Sequence, residues 1–424
     1  MHEIFFTALG GAKEVGKSSL LIDYGEKILF DRGVKLNARK TEYPLPVTTN
    51  LDAVIISHAH LDHSGSLPHL FLQSNVISFL TVSTLDLAKL LWFDSLKIAG
   101  LESMAPEWTK EEIHKAEKFS FPTHYKKNIQ ITKEAHLEFF DAGHILGSAI
   151  SVLSLKRQKI VYTGDFKFLE TRLHHGADLS RIKNTDILIT ESTYGDREHP
   201  PRKEVEKLFV EKVVDTLDKG GHVLVPAFAI GRSQEIIDIL HEYKIGAPVF
   251  FDGMGQKAAK IMLDHPDLLK DARFLRKALS NAIWVRNPSF RKKALKEPSV
   301  IVTTAGMLSG GPVGYYLKEI YKNSDSAVLL TGYQVEGTPG RQLLETGKIE
   351  VDGSLLDVAA HVEKFDFSAH ADQAESIQAI RKLSPKKIVL VHGDAEVMPV
   401  FKKKILEETG IETVVPSIGE RIKL

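Results

Sequence analysis

The run His58-Ala59-His60-Leu61-Asp62-His63 places three imidazoles and one carboxylate within six positions. A tight turn of this composition can present ligands to two adjacent cations, because imidazole nitrogen and carboxylate oxygen are both good donors to zinc and related divalent metals. The competing reading is a polar loop with chance histidines. Such a pattern arises by chance in roughly one of several hundred chains of this composition. The chain has no cysteine, so disulfides and thiolate sites are excluded and any zinc must be held by His and carboxylate.

Other residues of the same chemistry share one placement. Asp31 ends ILFD, His58 and His60 follow AVIIS, His144 follows LEFFDAG, Asp165 ends KIVYTGD, Glu191 ends DILITE, and His392 follows KIVLV. The apolar runs have the length of buried strands. They alternate with segments such as TLDLAKLLWFDSLKIA, KEVEKLFVEKVVDTLDKGG and RSQEIIDILHEYK, whose apolar residues recur at helical spacing. This alternation predicts an α/β fold, in which loops at strand ends assemble sites. Metal-competent groups at so many strand ends are expected if the strands project one site.

Beyond these residues the chain resembles a known family. HAHLDH, with Asp31 upstream and His144 and Asp165 downstream, is similar to the metallo-β-lactamase fold, a four-layer αββα sandwich. ITESTYG, FSAHAD and LVHGD resemble the additional motifs of the β-CASP branch of that fold, and VPAFAIGRSQEII, TTAGMLSGGPV and TGYQVEGTP resemble its inserted α/β cap domain. The resemblance spans nearly the whole chain. It implies a metallo-β-lactamase domain from residues 1–197, a β-CASP domain from 198–345, and a return segment to the first domain from 346–424, with the active site in the cleft between the two domains.

Carried over by motif, the resemblance implies two Zn2+ ions per chain. His58, His60 and His144 would hold one, Asp62, His63 and His392 the other, and Asp165 would bridge them. Asp31 would orient the first His cluster from outside the ligand set. His370 would act as a general acid, with Glu191 as its orienting partner; a buried structural His–Glu pair is the alternative. His392 favours RNA over DNA, since DNA-processing relatives usually lack a histidine at that motif. Ser368 is a candidate to bond the phosphate or support its turn. Arg232, after a glycine at a helix start, is a candidate phosphate ligand or a surface ion pair.

The implied activity is hydrolysis of single-stranded RNA in processing or decay, by 5′-to-3′ exonucleolytic or internal cleavage, leaving a 5′-phosphate and a 3′-hydroxyl. A small-molecule hydrolase of the same fold and a non-catalytic subunit of an RNA-processing complex are the alternatives. The cap-sized insertion counts against the first and the full ligand set against the second. A homodimer or an RNA-processing complex is the expected assembly. Lys+Arg and Asp+Glu both total 55, so a polyanionic partner must be met by local charge, with Arg286–Lys296 and Lys402, Lys403 and Lys404 as candidates. A solvated helix face is the plain alternative for either run. No apolar run is long enough to cross a membrane and no leader pattern opens the chain, so the expected location is cytoplasmic.

Overall fold

Each expected strand is an apolar run that can be buried on both faces, and each expected helix has an apolar stripe to cover it. The computed structural model describes residues 3–36, 41–101, 107–156, 158–351 and 353–424. They form two compact units. The first comprises the described parts of Met1–Leu36, Thr41–Glu198 and Ala369–Leu424, and the second is His199–Ser368.

The first unit holds two seven-stranded sheets. Phe6, Leu20, Ile22, Ile28 and Phe30 of one meet Leu137, Phe139, Ile160, Tyr162 and Ile189 of the other in a shared core. The outer face of the second sheet is covered by helices Gln373–Leu383 and Val397–Thr409 through Ile377, Ile380, Phe401 and Ile405. Helix Val82–Leu101 lies against strands Ser78–Thr81 and Ser120–Thr123 of the first sheet. The layers are therefore αββα, the metallo-β-lactamase arrangement.

Parallel pairing decides where the polar residues end up. Lys27–Phe30 runs parallel to Ala53–Ile55, with Phe30 opposite Ile55, so Asp31 and the Ser57-His58 segment emerge side by side. In the other sheet Lys159–Tyr162, Ile187–Glu191 and Lys387–Val391 are mutually parallel. Their carboxyl ends deliver Asp165, Glu191 and His392 to one edge. His144 sits in the turn joining the antiparallel strands His136–Asp141 and Ala149–Ser154.

Two close approaches hold these loops in place. A Cβ on Gly33 would lie 1.7 Å from the Asp62 carbonyl oxygen, so only glycine lets this chain pass the HAHLDH turn. Gly164, beside Asp165, has φ +54°, and a Cβ there would lie 2.6 Å from that of Ser57. Trp92, fully buried, donates its indole N–H to the Ser64 carbonyl at 2.9 Å and ties the outer helix to the same turn.

The second unit is built on a six-stranded sheet, entirely parallel, in the order Ile283–Trp284, Val249–Asp252, Val300–Thr303, Val223–Pro226, Ala327–Leu330, His361–Lys364. The chain re-enters the first unit at Ala369, later than the expected residue 346. The reason is that His361–Lys364 pairs with Ala327–Leu330 and completes the second unit's sheet before the chain leaves it. Among the described residues no helix is long and apolar enough to cross a membrane.

Candidate metal centre

The strand ends bring two donor groups together. His58, His60, His144 and Asp165 form one, and Asp62, His63, Asp165 and His392 the other. In each, the donor atoms all lie within 4.8 Å of one another. Asp165 belongs to both, with Oδ2 at 3.6 Å from His58 Nε2 and Oδ1 at 3.2 Å from both His63 Nε2 and His392 Nδ1. His144 Nε2 is 3.1 Å from His60 Nδ1, and His392 Nε2 is 3.3 Å from Asp62 Oδ2.

These separations test whether a metal fits. Donors about 2.0–2.1 Å from a tetrahedral ion stand roughly 3.3 Å apart, which is the spacing of most of these pairs. The atoms are also poorly satisfied otherwise. His58 Nε2 and Asp165 Oδ1 are buried without a hydrogen-bond partner, a costly state for polar atoms unless something binds there. The residues fit a divalent cation in each group.

Outer contacts select which nitrogen faces inward. His63 Nδ1 donates to Asp31 Oδ2 at 2.7 Å and leaves Nε2 for the cluster. His144 Nδ1 donates to the Ala369 carbonyl at 2.8 Å. His58 Nδ1 is engaged by Ser57 Oγ at 3.0 Å. Asp31 itself accepts from the Ser57 N–H, the Ser57 hydroxyl, and the Tyr162 hydroxyl at 2.7–2.8 Å. It therefore touches His63, in the second group, directly and reaches His58 through Ser57. Buried carboxylate–imidazole contacts of this kind fix tautomer and raise ligand basicity.

The electrostatics divide the imidazoles. Burial, helped by the neighbouring rings, pushes His58 and His144 well below the usual histidine range, and burial also lowers His60. These rings are neutral with lone pairs available. His63 is the opposite case: burial lowers its affinity for a proton, but Asp165 and Asp31 overcome this and hold it well above the usual range. Burial opposes ionisation of Asp62 and Asp165 too, yet His392 and His63 keep both ionised. Loading a metal must therefore displace the His63 proton. Calorimetric titration with zinc in two buffers of different ionisation enthalpy should show net proton release, and affinity should fall as the pH is lowered. Equal heats in both buffers would contradict this charge assignment.

A third group lies alongside. His370 Nδ1 is 2.9 Å from Glu191 Oε2 and 3.9 Å from Asp165 Oδ2. Glu191 is anchored by the Phe166 N–H at 2.7 Å and the Thr193 hydroxyl at 2.6 Å. Burial would lower the His370 pKa, but Glu191 and Asp165 outweigh it and push it up to about 9.

Arg232 and Ser368 belong to the second unit. The Arg232 side chain is only 8% exposed, pairs with Glu235, and has its guanidinium 5.8 Å from the Phe367 ring centroid, so its visible partners are those of a buried ion pair. Ser368 donates its N–H to Asp366 Oδ1 at 3.1 Å and accepts from Arg202 at 3.0 Å through its carbonyl. Both contacts support the turn. Sequence reasoning missed Ser57, Tyr162, Thr193 and the Ala369 carbonyl. Ser57 had one available signal, its position just before His58 at a strand end. Thr193 lies two residues from Glu191, whereas Tyr162 and the Ala369 carbonyl are joined to the site only across long sequence separations.

Residues 233–343 match the family described as the Beta-Casp domain, and residues 355–416 match the Zn-dependent metallo-hydrolase RNA specificity domain. Residues 6–193 match the family described as anti-Pycsar protein Apyc1. The chain is 41% identical to a probable RNase MJ4 of Methanocaldococcus jannaschii, covering 100% of both chains. It is 37% identical to RNase aCSPSF2 of Saccharolobus solfataricus, covering 99% of this chain and 85% of that one. Identity to transcription termination factor FttA of Thermococcus kodakarensis is 35%, covering 99% of this chain and 71% of the relative. A crystal structure of a protein of unknown function from Enterococcus faecalis V583 superposes with a TM-score of 0.62 at 16% identity, with 100% of both chains covered. That likeness is one of fold.

Proposed function

Because this chain belongs to the β-CASP family of metal-dependent ribonucleases of the metallo-β-lactamase fold, we propose that it hydrolyses single-stranded RNA with two zinc ions held by His58, His60, Asp62, His63, His144, Asp165 and His392. The observation that carries this reading is the Asp165 carboxylate, whose two oxygens face different donor groups. Bound metals supply Lewis acidity toward a phosphoryl oxygen and a nucleophile usable near neutral pH.

The chain's own residues supply the remainder. Asp31 and Ser57 hold the imidazoles in the tautomers that leave Nε2 of His58 and His63 facing inward. His370 keeps Nδ1–H on Glu191, so the proton available for transfer is the one on Nε2. Its raised pKa keeps that proton in place at neutral pH, as a general acid for the departing sugar oxygen requires. The products are then a 5′-phosphate and a 3′-hydroxyl.

Burial of the donors supports a single-stranded substrate. His58 is 0% and Asp165 2% exposed. A phosphate must descend to reach them, which an unpaired strand can do by bending and an A-form duplex cannot do without local unpairing. Threading from a 5′ end is our preferred mode, with internal cleavage second. Circular and linear forms of one RNA, the linear form with a 5′-monophosphate, 5′-hydroxyl or 5′-triphosphate, separate the two. Rapid mononucleotide release from the monophosphate form with the circle intact is the expected result. Equal cutting of the circle would make the enzyme an endonuclease.

A further inference from the structure

The neutral net charge of the chain conceals one strongly basic stretch. Between Gly255 and Lys296 there are eleven Lys or Arg and three Asp or Glu, whereas the two classes balance at 55 each over the whole chain. The stretch folds as helices Gly255–Asp264 and Ala272–Asn281, strand Ile283–Trp284 and helix Pro288–Ala294. Ile283–Trp284 is the outermost strand of the second unit's sheet, so this charge gathers around one sheet edge.

Six of these cations are exposed and, among the described residues, stand outside any ion pair. Arg273, Arg276 and Lys277 recur at the three- and four-residue spacing that places side chains on one helical face, and all are exposed. Arg286, Lys292 and Lys293 are exposed on the neighbouring segment. Among the described residues none of these six is in an ion pair. Elsewhere the pattern differs: Lys207, Lys219, Lys403 and Lys404 each pair with a carboxylate one helical turn away. Uncompensated like charge repels itself and disfavours the folded state, so a counter-charge from outside the chain is the natural complement.

Aromatic rings accompany the charge. Lys260 Nζ lies 5.7 Å from the Trp284 ring centroid, and the Arg291 guanidinium lies 6.0 Å from that of Tyr315. Both rings are partly exposed. Arg291 is also fixed by Asp252, at 2.7 Å. Phosphate-binding cations interleaved with accessible rings suit an unpaired strand, whose bases stack while its backbone is neutralised. An acidic protein surface would use the cations and leave the rings idle.

We propose that this basic sheet edge of the second unit is a docking surface for the backbone of single-stranded RNA, formed by residues outside the metal donor set. It rests on the ribonuclease reading for the identity of the polyanion. The test uses the full zinc-loaded protein carrying Arg276→Ala, Lys277→Ala, Lys292→Ala and Lys293→Ala together. A control carries Lys403→Ala and Lys404→Ala. Binding of an RNA of about 40 nucleotides is followed by anisotropy over a range of salt, and cleavage of a short RNA of about six nucleotides is measured in parallel.

Each phosphate contact on a single strand contributes about 0.7 to the salt slope, so the fourfold variant should lose about 2 to 3 units of slope and more than tenfold in affinity at low salt. Turnover of the short RNA should be unchanged, and the control should match the unmodified protein. An unchanged slope and affinity in the fourfold variant would overturn the proposal. So would a surface that captures polyglutamate and does not release it to the long RNA, which would assign it to an acidic protein. If the unmodified protein cuts neither RNA while the slope still falls, the ribonuclease reading fails and the docking surface stands.

Discussion

Asp165→Ala is expected to purify with less than one metal ion per chain in place of about two, and to lose RNA cleavage by more than the roughly hundredfold that removal of an outer-shell partner costs. The carboxylate is 2% exposed, and it is the only residue common to all three metal-competent groups among the described residues. Without it His63 Nε2 and His392 Nδ1 lose the oxygen that stands 3.2 Å from each, and His58 Nε2 loses its nearest anion. Five neutral or cationic imidazoles would then face one another with Asp62 as the remaining inner carboxylate. Asp165→Asn separates charge from shape, since it preserves volume and removes the negative charge shared by the two donor groups. Elemental analysis beside a cleavage assay reads both variants. Two ions retained by Asp165→Ala would show that the groups fill independently and that the bridging assignment is mistaken.

His370→Ala should behave in the opposite way, keeping its metal and its fold while cleavage slows by roughly a hundredfold to ten-thousandfold, the usual contribution of a positioned general acid. The pH profile distinguishes this role from a structural one. An acid must be protonated to act, so the rate of the unmodified enzyme should fall on the alkaline side as His370 loses its proton. Glu191 and Asp165 raise that pKa to about 9 against burial, and positive charge at the donor groups shifts it downward in the loaded enzyme. In His370→Ala the alkaline limb should disappear. In Glu191→Gln it should move to lower pH, because the imidazolium loses the anion 2.9 Å away. Metal loss in His370→Ala would make it a ligand, a role its place in the third donor group permits. Full activity would leave the pair a structural one.

Much of this site was legible in local sequence. HAHLDH stands out because its donor side chains are close in the chain, and one turn suffices to gather them. Asp165, Glu191 and His392 were visible for a different reason: each ends an apolar run, and parallel strands pool their carboxyl ends. The strands and the helices Val82–Leu101, Arg202–Asp218 and Arg232–Glu242 likewise follow from periodicity, which reports burial face by face.

The contacts that tune the site were not legible. Tyr162 reaches Asp31 across 131 positions, and the Ala369 carbonyl reaches His144 across 225. A single hydroxyl or carbonyl has no spacing signature, so nothing local marks it. The return to the first unit at Ala369 was hidden for a similar reason, because the strand His361–Lys364 belongs to whichever sheet offers it an edge, and its own residues do not say which.

Arg232 and the basic stretch show the same boundary from the side of charge. Sequence alone determined that the guanidinium follows a glycine at a helix start and that cations crowd residues 286–296. Only the tertiary structure decided that Arg232 is buried on Glu235, while Arg286, Lys292 and Lys293 remain exposed and unpaired. The physical reason is that a residue's type is a property of the chain, whereas its partner, its solvation and therefore its effective charge are set by what the fold packs against it.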